Sequence, residues 1–153
     1  MSAEAKIAEL KLELPPPPKP AGVYRPIVVV DNIAYLSGHL PILPEGGLAT
    51  GRVGADVSEQ DGYQAARRVG LAMLTTLREE LGSLDRVTRV IKILGMVNCT
   101  TDFHAQPAVI NGCSELMAEV FGDEIGVGAR SAVGVAALPL NVTVEIEGIF
   151  QVE

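Results

Sequence analysis

The chain has 153 residues, 48% of them hydrophobic and only 4% aromatic, and a formal net charge of −7. That length suggests one compact domain whose core is built from Val, Ile, Leu and Ala. The acidic balance argues against a phosphate-backbone binder, which needs a basic face. No apolar run reaches membrane-spanning length.

Residues 3–13 read as a short amphipathic helix, with Ala3, Ile7, Leu10 and Leu14 at helical spacing. Pro15 to Pro18 stop it and favour a stiff, extended spacer. Residues 1–20 are thus expected to form an N-terminal arm, and residues 21–153 a single domain. The charged start lacks the continuous apolar segment of a signal peptide, so a soluble cytoplasmic protein is expected.

Ile27 to Val30 and Ile33 to Ser37 are β-rich runs, and Asp31-Asn32 between them suits a tight hairpin. Pro41 to Gly54 reads as a loop. Ser58, with Asp61 three residues on, opens a long helix that Gly82 closes. Ala66, Val69, Met73, Leu77 and Leu81 form its buried stripe. Val87 to Cys99 follows as a strand. A second helix is expected from Phe103 to Phe121, capped by Thr101 or Asp102, with Pro107 in its first turns. Its inner stripe is Ile110, Cys113, Leu116 or Met117, and Val120. Arg130–Ala137 and Val142–Val152, joined by a turn at Leu138 to Asn141, read as a terminal hairpin.

The resulting β-β-α-β-α-β-β order is an α+β pattern and fits a mixed or antiparallel sheet with two helices on one face. In the last strand Val144, Ile146 and Phe150 point one way, and Glu145, Glu147, Ile149 and Gln151 the other. A sheet apolar on both faces, with helices for only one, implies burial against another subunit. A homo-oligomer is therefore expected.

Chemistry-bearing residues are few. His39 and His104 have no partners at metal-ligand spacing, so no metal site is expected. Cys99 and Cys113 read as buried free thiols. No nucleophile elbow, phosphate loop or dinucleotide fingerprint is present. Arg130, where a Gly-rich loop meets a strand, could grip a carboxylate through two parallel hydrogen bonds. It could equally form a structural ion pair with Asp123 or Glu124. Glu145 lies on a solvated outer face or, if that face is covered, needs partners.

The block A-R-S-x-V-x-V-A-x-L-P-x-x-V-x-V-E-I-E-x-I, from Ala129 to Ile149, resembles the signature of the YjgF/RidA family, also labelled endoribonuclease L-PSP. Gly22-Val23-Tyr24, Asn32, Ser37-Gly38-His39-Leu40-Pro41, Asp102-Phe103 and Asn111 resemble further family segments in the same order. The resemblance implies a chorismate-mutase-like fold, a homotrimeric barrel with a ligand site in each subunit cleft, and cofactor-free hydrolysis of reactive enamines and imines to 2-keto acids and ammonia. It makes Arg130 the holder of the substrate carboxylate and Glu145 the group that positions water. Tyr24, Ser37, Gly38 and Asn111 match lining positions. Four features depart from the family pattern: Ala132 where its deaminases often carry Cys, His39 in place of Gln, a segment from Asn111 to Arg130 about two residues longer, and the extra N-terminal arm. Those departures keep a non-catalytic carboxylate-binding or regulatory protein as the alternative. An endoribonuclease is disfavoured by the charge, and neither nucleic acid nor membrane is expected as a partner.

Overall fold

The computed structural model describes residues 1–153. Helix α1 (Ala3–Glu9) is followed by strands β1 (Ile27–Val30) and β2 (Ile33–His39), helix α2 (Glu59–Leu81), strand β3 (Val87–Asn98), helix α3 (Gln106–Gly126), and strands β4 (Ala129–Val135) and β5 (Val144–Val152). The expected order holds, with α1 added in front. The five strands form one mixed sheet in the order β1-β2-β5-β3-β4.

Local signals fix most elements. Ser58 accepts a hydrogen bond from the Asp61 amide and starts α2, and Gly82, in the left-handed region at φ 82°, ends it. Asp31, also left-handed, turns the β1–β2 hairpin. Helix α1 is shorter than expected. It stops at Glu9, and Lys11 turns the chain at φ 52°. Helix α3 begins at Gln106, later than expected and without a side-chain cap. Thr100 donates instead to Asp102, so the proposed cap is occupied by its own turn, and Pro107 sits in the first helical turn. The helical run then continues past Phe121 to Gly126, interrupted at Gly122, whose φ is 81°.

The last two strands are not a hairpin. Strand β4 pairs in parallel with β3, whereas β5 inserts between β3 and β2, antiparallel to both. The units β3, α3 and β4 form a parallel crossover, for which a helix is the usual connection. The alternating apolar residues of β5 occupy the centre of the sheet. The small residues of β4 are left at an edge, where none is fully buried.

Helices α2 and α3 cover one face of the sheet. Both expected stripes are buried there: Ala66, Val69, Met73, Leu77 and Leu81 on α2, and Ile110, Cys113, Leu116, Met117 and Val120 on α3. The two helices pack at backbone distance, since a Cβ on Gly112 would lie 2.0 Å from the Tyr63 carbonyl oxygen. More of α2 is buried than one stripe, because the N-terminal arm covers its other flank. Ala3 and Ile7 join the core, and Glu4 accepts from Arg78 at 2.6 and 3.1 Å and from the Leu84 amide at 2.9 Å. Thr75 donates to the Pro15 carbonyl at 2.8 Å.

The opposite face carries Val28, Tyr35, Ile149, Leu94, Met96 and Val133, together with Lys92, Glu145 and Glu147. Val28, Tyr35 and Val133 are exposed, and no helix of this chain covers them.

Candidate functional site

Arg130 opens β4 opposite Ile93. Directly paired residues share a sheet face, and Ile93 is buried toward the helices, so Arg130 faces α3. There its Nη1 donates to Asn111 Oδ1 at 2.7 Å and to Ser114 Oγ at 3.3 Å. Asn111 and Ser114 are three residues apart and share one side of α3. Arg130 takes part in none of the ion pairs of the chain. The ion pair with Asp123 or Glu124, one of the two expectations, is therefore not formed. The guanidinium is positioned by neutral oxygens, which leaves its charge uncancelled. It borders a cavity of about 210 Å³, also lined by Ile93, Met117 and Gly128. Ala132 lies two residues along β4 on the same face. Cys113 is buried nearby, and burial pushes its thiol up to about 12 against the opposing effect of Arg130, so it is an inert neutral group.

Glu145 pairs with Met96 on β5, and its neighbour Ile146 is buried against the helices. The carboxylate therefore points to the other, uncovered face. It lies over Gly38, where a Cβ would meet Oε2 at 2.1 Å, Cδ at 2.8 Å and Cγ at 3.0 Å. Burial, and secondarily the Glu147 carboxylate two residues on, raises its pKa above the usual 4.5. Tyr24, Ser37, Gly38, Leu140 and Glu145 line a single cleft of about 600 Å³.

The backbone at Ser37-Gly38 is built as a bulge, because the β2–β5 register shifts between Leu36 and His39. Ser37 Oγ donates to the Arg25 carbonyl at 2.6 Å. His39 Nδ1 lies 2.6 Å from the Ser37 carbonyl and Nε2 lies 2.7 Å from Thr76 Oγ1. A carbonyl only accepts, so Nδ1 carries the proton and Nε2 accepts from the threonine hydroxyl. Burial holds the His39 pKa below its ordinary 6.5, opposed by the bond to Ser37. His39 thus ties the bulge to α2.

The six site residues expected from the sequence fall into two groups. Arg130 and Asn111 meet on the helix side of the sheet. Tyr24, Ser37, Gly38 and Glu145 meet on the open side. The sheet itself separates them within one chain. No three His, Cys, Asp or Glu side chains converge as a metal-binding cluster.

Comparison with known proteins shows the family. The family model described as "YjgF/chorismate mutase-like, putative endoribonuclease" matches residues 4–150. The chain belongs to the YjgF/RidA family. Among YjgF/RidA relatives, it is 39% identical over 147 residues to protein TCP17 of Trypanosoma cruzi, covering 96% of this chain and 92% of that one. It is 31% identical over 143 residues to the 2-iminobutanoate/2-iminopropanoate deaminase of Dermatophagoides farinae, covering 93% and 95%. The crystal structure of a "putative endoribonuclease" from Shewanella oneidensis superposes with a TM-score of 0.94 over 99% of this chain and 100% of that one, at 28% identity. The mixed α+β fold is thus the fold of the family.

Sequence reasoning missed three contributors. Ser114 was signalled only by its helical spacing from Asn111. Thr76 lies 37 residues from the histidine it contacts. Leu140 is 69% exposed in the left-handed region at φ 58°, on the rim of the cleft. It is held by the next residue, since buried Asn98 donates to Asn141 Oδ1 at 3.2 Å and to the Val142 carbonyl at 3.2 Å.

Proposed function

We propose that the protein hydrolyses reactive 2-imino acids and their enamine tautomers to 2-keto acids and ammonia, without a cofactor, at sites completed between copies of the chain. The observation that carries this reading is the uncancelled, pre-oriented Arg130 in a chain of this family. A deaminase of such substrates among its relatives supports it.

In this reading Arg130 grips the substrate carboxylate in two parallel hydrogen bonds, and Asn111 holds the guanidinium in place. The imine carbon is already electrophilic, so catalysis needs a placed water and a route for protons. Glu145, with its raised affinity for a proton, takes one from water as the oxygen bonds to the imine carbon. The C=N π pair moves to the nitrogen, which receives that same proton back from Glu145, giving a neutral carbinolamine. Glu145 then takes the carbinol hydroxyl proton and passes it to the nitrogen as the C–N bond breaks, the carbonyl forms and ammonia leaves. One water is consumed and one carbonyl and one ammonia are formed.

A second copy supplies what one chain separates. The uncovered apolar face of the sheet supports such an assembly, and the family resemblance implies that it is a homotrimer. The acidic net charge speaks against RNA as ligand. The test is release of ammonia and keto acid from an enzymatically generated imine. The wild type should accelerate it, and Glu145→Gln should lose roughly 100- to 10,000-fold in rate. Equal rates with and without the wild-type protein would overturn the reading.

A further inference from the structure

The cleft that holds Glu145 does not end at the acidic group. An apolar annex of about 260 Å³ adjoins it, and the two share Ala21, Tyr24, Gly38, Leu40 and Leu140. The annex is walled by Ile42 and Leu48, which pair across a short bridge, and by Pro18 and Pro20 of the N-terminal arm. An engineered cavity of only about 150 Å³ lined by apolar side chains holds benzene, so the annex has room for a branched or aromatic group.

Two independent features aim apolar surface into this space. Leu140 is kept exposed at the cleft rim by a backbone conformation that L-residues seldom adopt. The proline segment is delivered there by a built anchor: Ile7 in the core, Glu4 on Arg78, and Pro15 on Thr75. Proline loses little entropy on being fixed, so the wall is rigid. Lys19 is the one Lys, Arg, Asp or Glu among the residues lining the annex, and His39 is bonded internally at both ring nitrogens.

We infer that this annex receives the substrate's side chain, and that the preferred substrates are 2-imino acids with large apolar side chains. This rests on the deaminase reading above. The carboxylate would be held by Arg130, the imine carbon would face Glu145, and the side chain would extend under Leu140 toward the prolines.

The experiment compares kcat/KM for imines generated from leucine and from alanine, in the wild type and in Leu48→Trp and Ile42→Phe, which fill the annex. The wild type should favour the leucine-derived imine by at least about tenfold, the worth of well-seated apolar groups. Each filling variant should lower the leucine-to-alanine ratio by a similar factor. A wild-type ratio at or below one, or a ratio unmoved in both variants, would overturn the inference. Equal loss on both substrates would mean that the residues are only structural, and would overturn it too. If no imine is hydrolysed, the deaminase reading fails by itself. The annex is then judged by calorimetry with 4-methyl-2-oxopentanoate against pyruvate. Tighter binding of the larger acid that is lost in Leu48→Trp supports the annex, and equal binding overturns it.

Discussion

Replacing Gly38 with alanine moves one carboxylate and little else. The new Cβ would lie 2.1 Å from Glu145 Oε2, about 1.4 Å inside the ~3.5 Å at which nonbonded atoms rest. Gly38 is not in the left-handed region, so alanine suits its backbone. The obstructing atoms are the far end of a flexible side chain, which swings away at small cost. Stability should therefore change by no more than about 1 kcal/mol in either direction, because the loss of unfolded-state freedom offsets the rearrangement. A shift of that size moves Tm by about 2–4 °C in a chain of this length. Catalysis should respond differently, since a misplacement near 1 Å can cost about 100-fold in rate. The assay pairs a thermal melt with kcat on a generated imine for Gly38→Ala, Glu145→Gln and the double variant. The double variant should lose no more than the worse single one, because both remove the same group's contribution. Full activity in Gly38→Ala would refute the assignment of proton transfer to Glu145.

Other consequences concern the arginine and the titrating groups. Asn111→Leu removes the 2.7 Å acceptor that orients Arg130 and should raise KM about tenfold or more with little change in kcat, as steady-state kinetics would show. The active form of Glu145 is the carboxylate, so kcat should climb with pH through a midpoint above 4.5, and a pH–rate profile of Glu145→Gln should lack that limb. In the same window the folded chain binds more protons than the unfolded one, so Glu145 contributes less stability as pH rises, and Glu145→Gln should melt higher than wild type at neutral pH. His39 acts in the opposite sense. Its pKa is lowered on folding, so the unfolded chain takes up the proton first and stability falls as pH drops below 6.5. Denaturant melts between pH 7 and 5 should show a shallower slope for His39→Gln.

The helices were legible because their signals are local. Ser58 and Gly82 bracket α2, and every residue that the apolar spacing picked out on α2 and α3 is buried. The face of Glu145 was legible as well, since strict alternation along β5 needs no knowledge of its neighbours. The face of Arg130 was not. It depends on pairing with Ile93, 37 residues away, and the proximity of β4 and β5 in sequence suggested a hairpin that the insertion of β5 between β2 and β3 rules out. A four-residue turn between two strands says that the chain reverses. It does not say that another strand lies between them. The start of α3 was missed for a related reason, because Thr100 and Asp102 satisfy one another rather than the helix. The annex could not be read at all, since the arm reaches it through Thr75 and Arg78, roughly 60 to 75 positions downstream.

The placement of Arg130 and Glu145 on opposite sides of one sheet also bears on dosage. If each working cleft borrows its arginine from one subunit and its glutamate from another, turnover depends on association as well as on folding. Dilution below the assembly constant would extinguish activity while every subunit kept its secondary structure. Subunits crippled at Arg130 and at Glu145, inert alone, would exchange into mixed assemblies in which some clefts regain both groups.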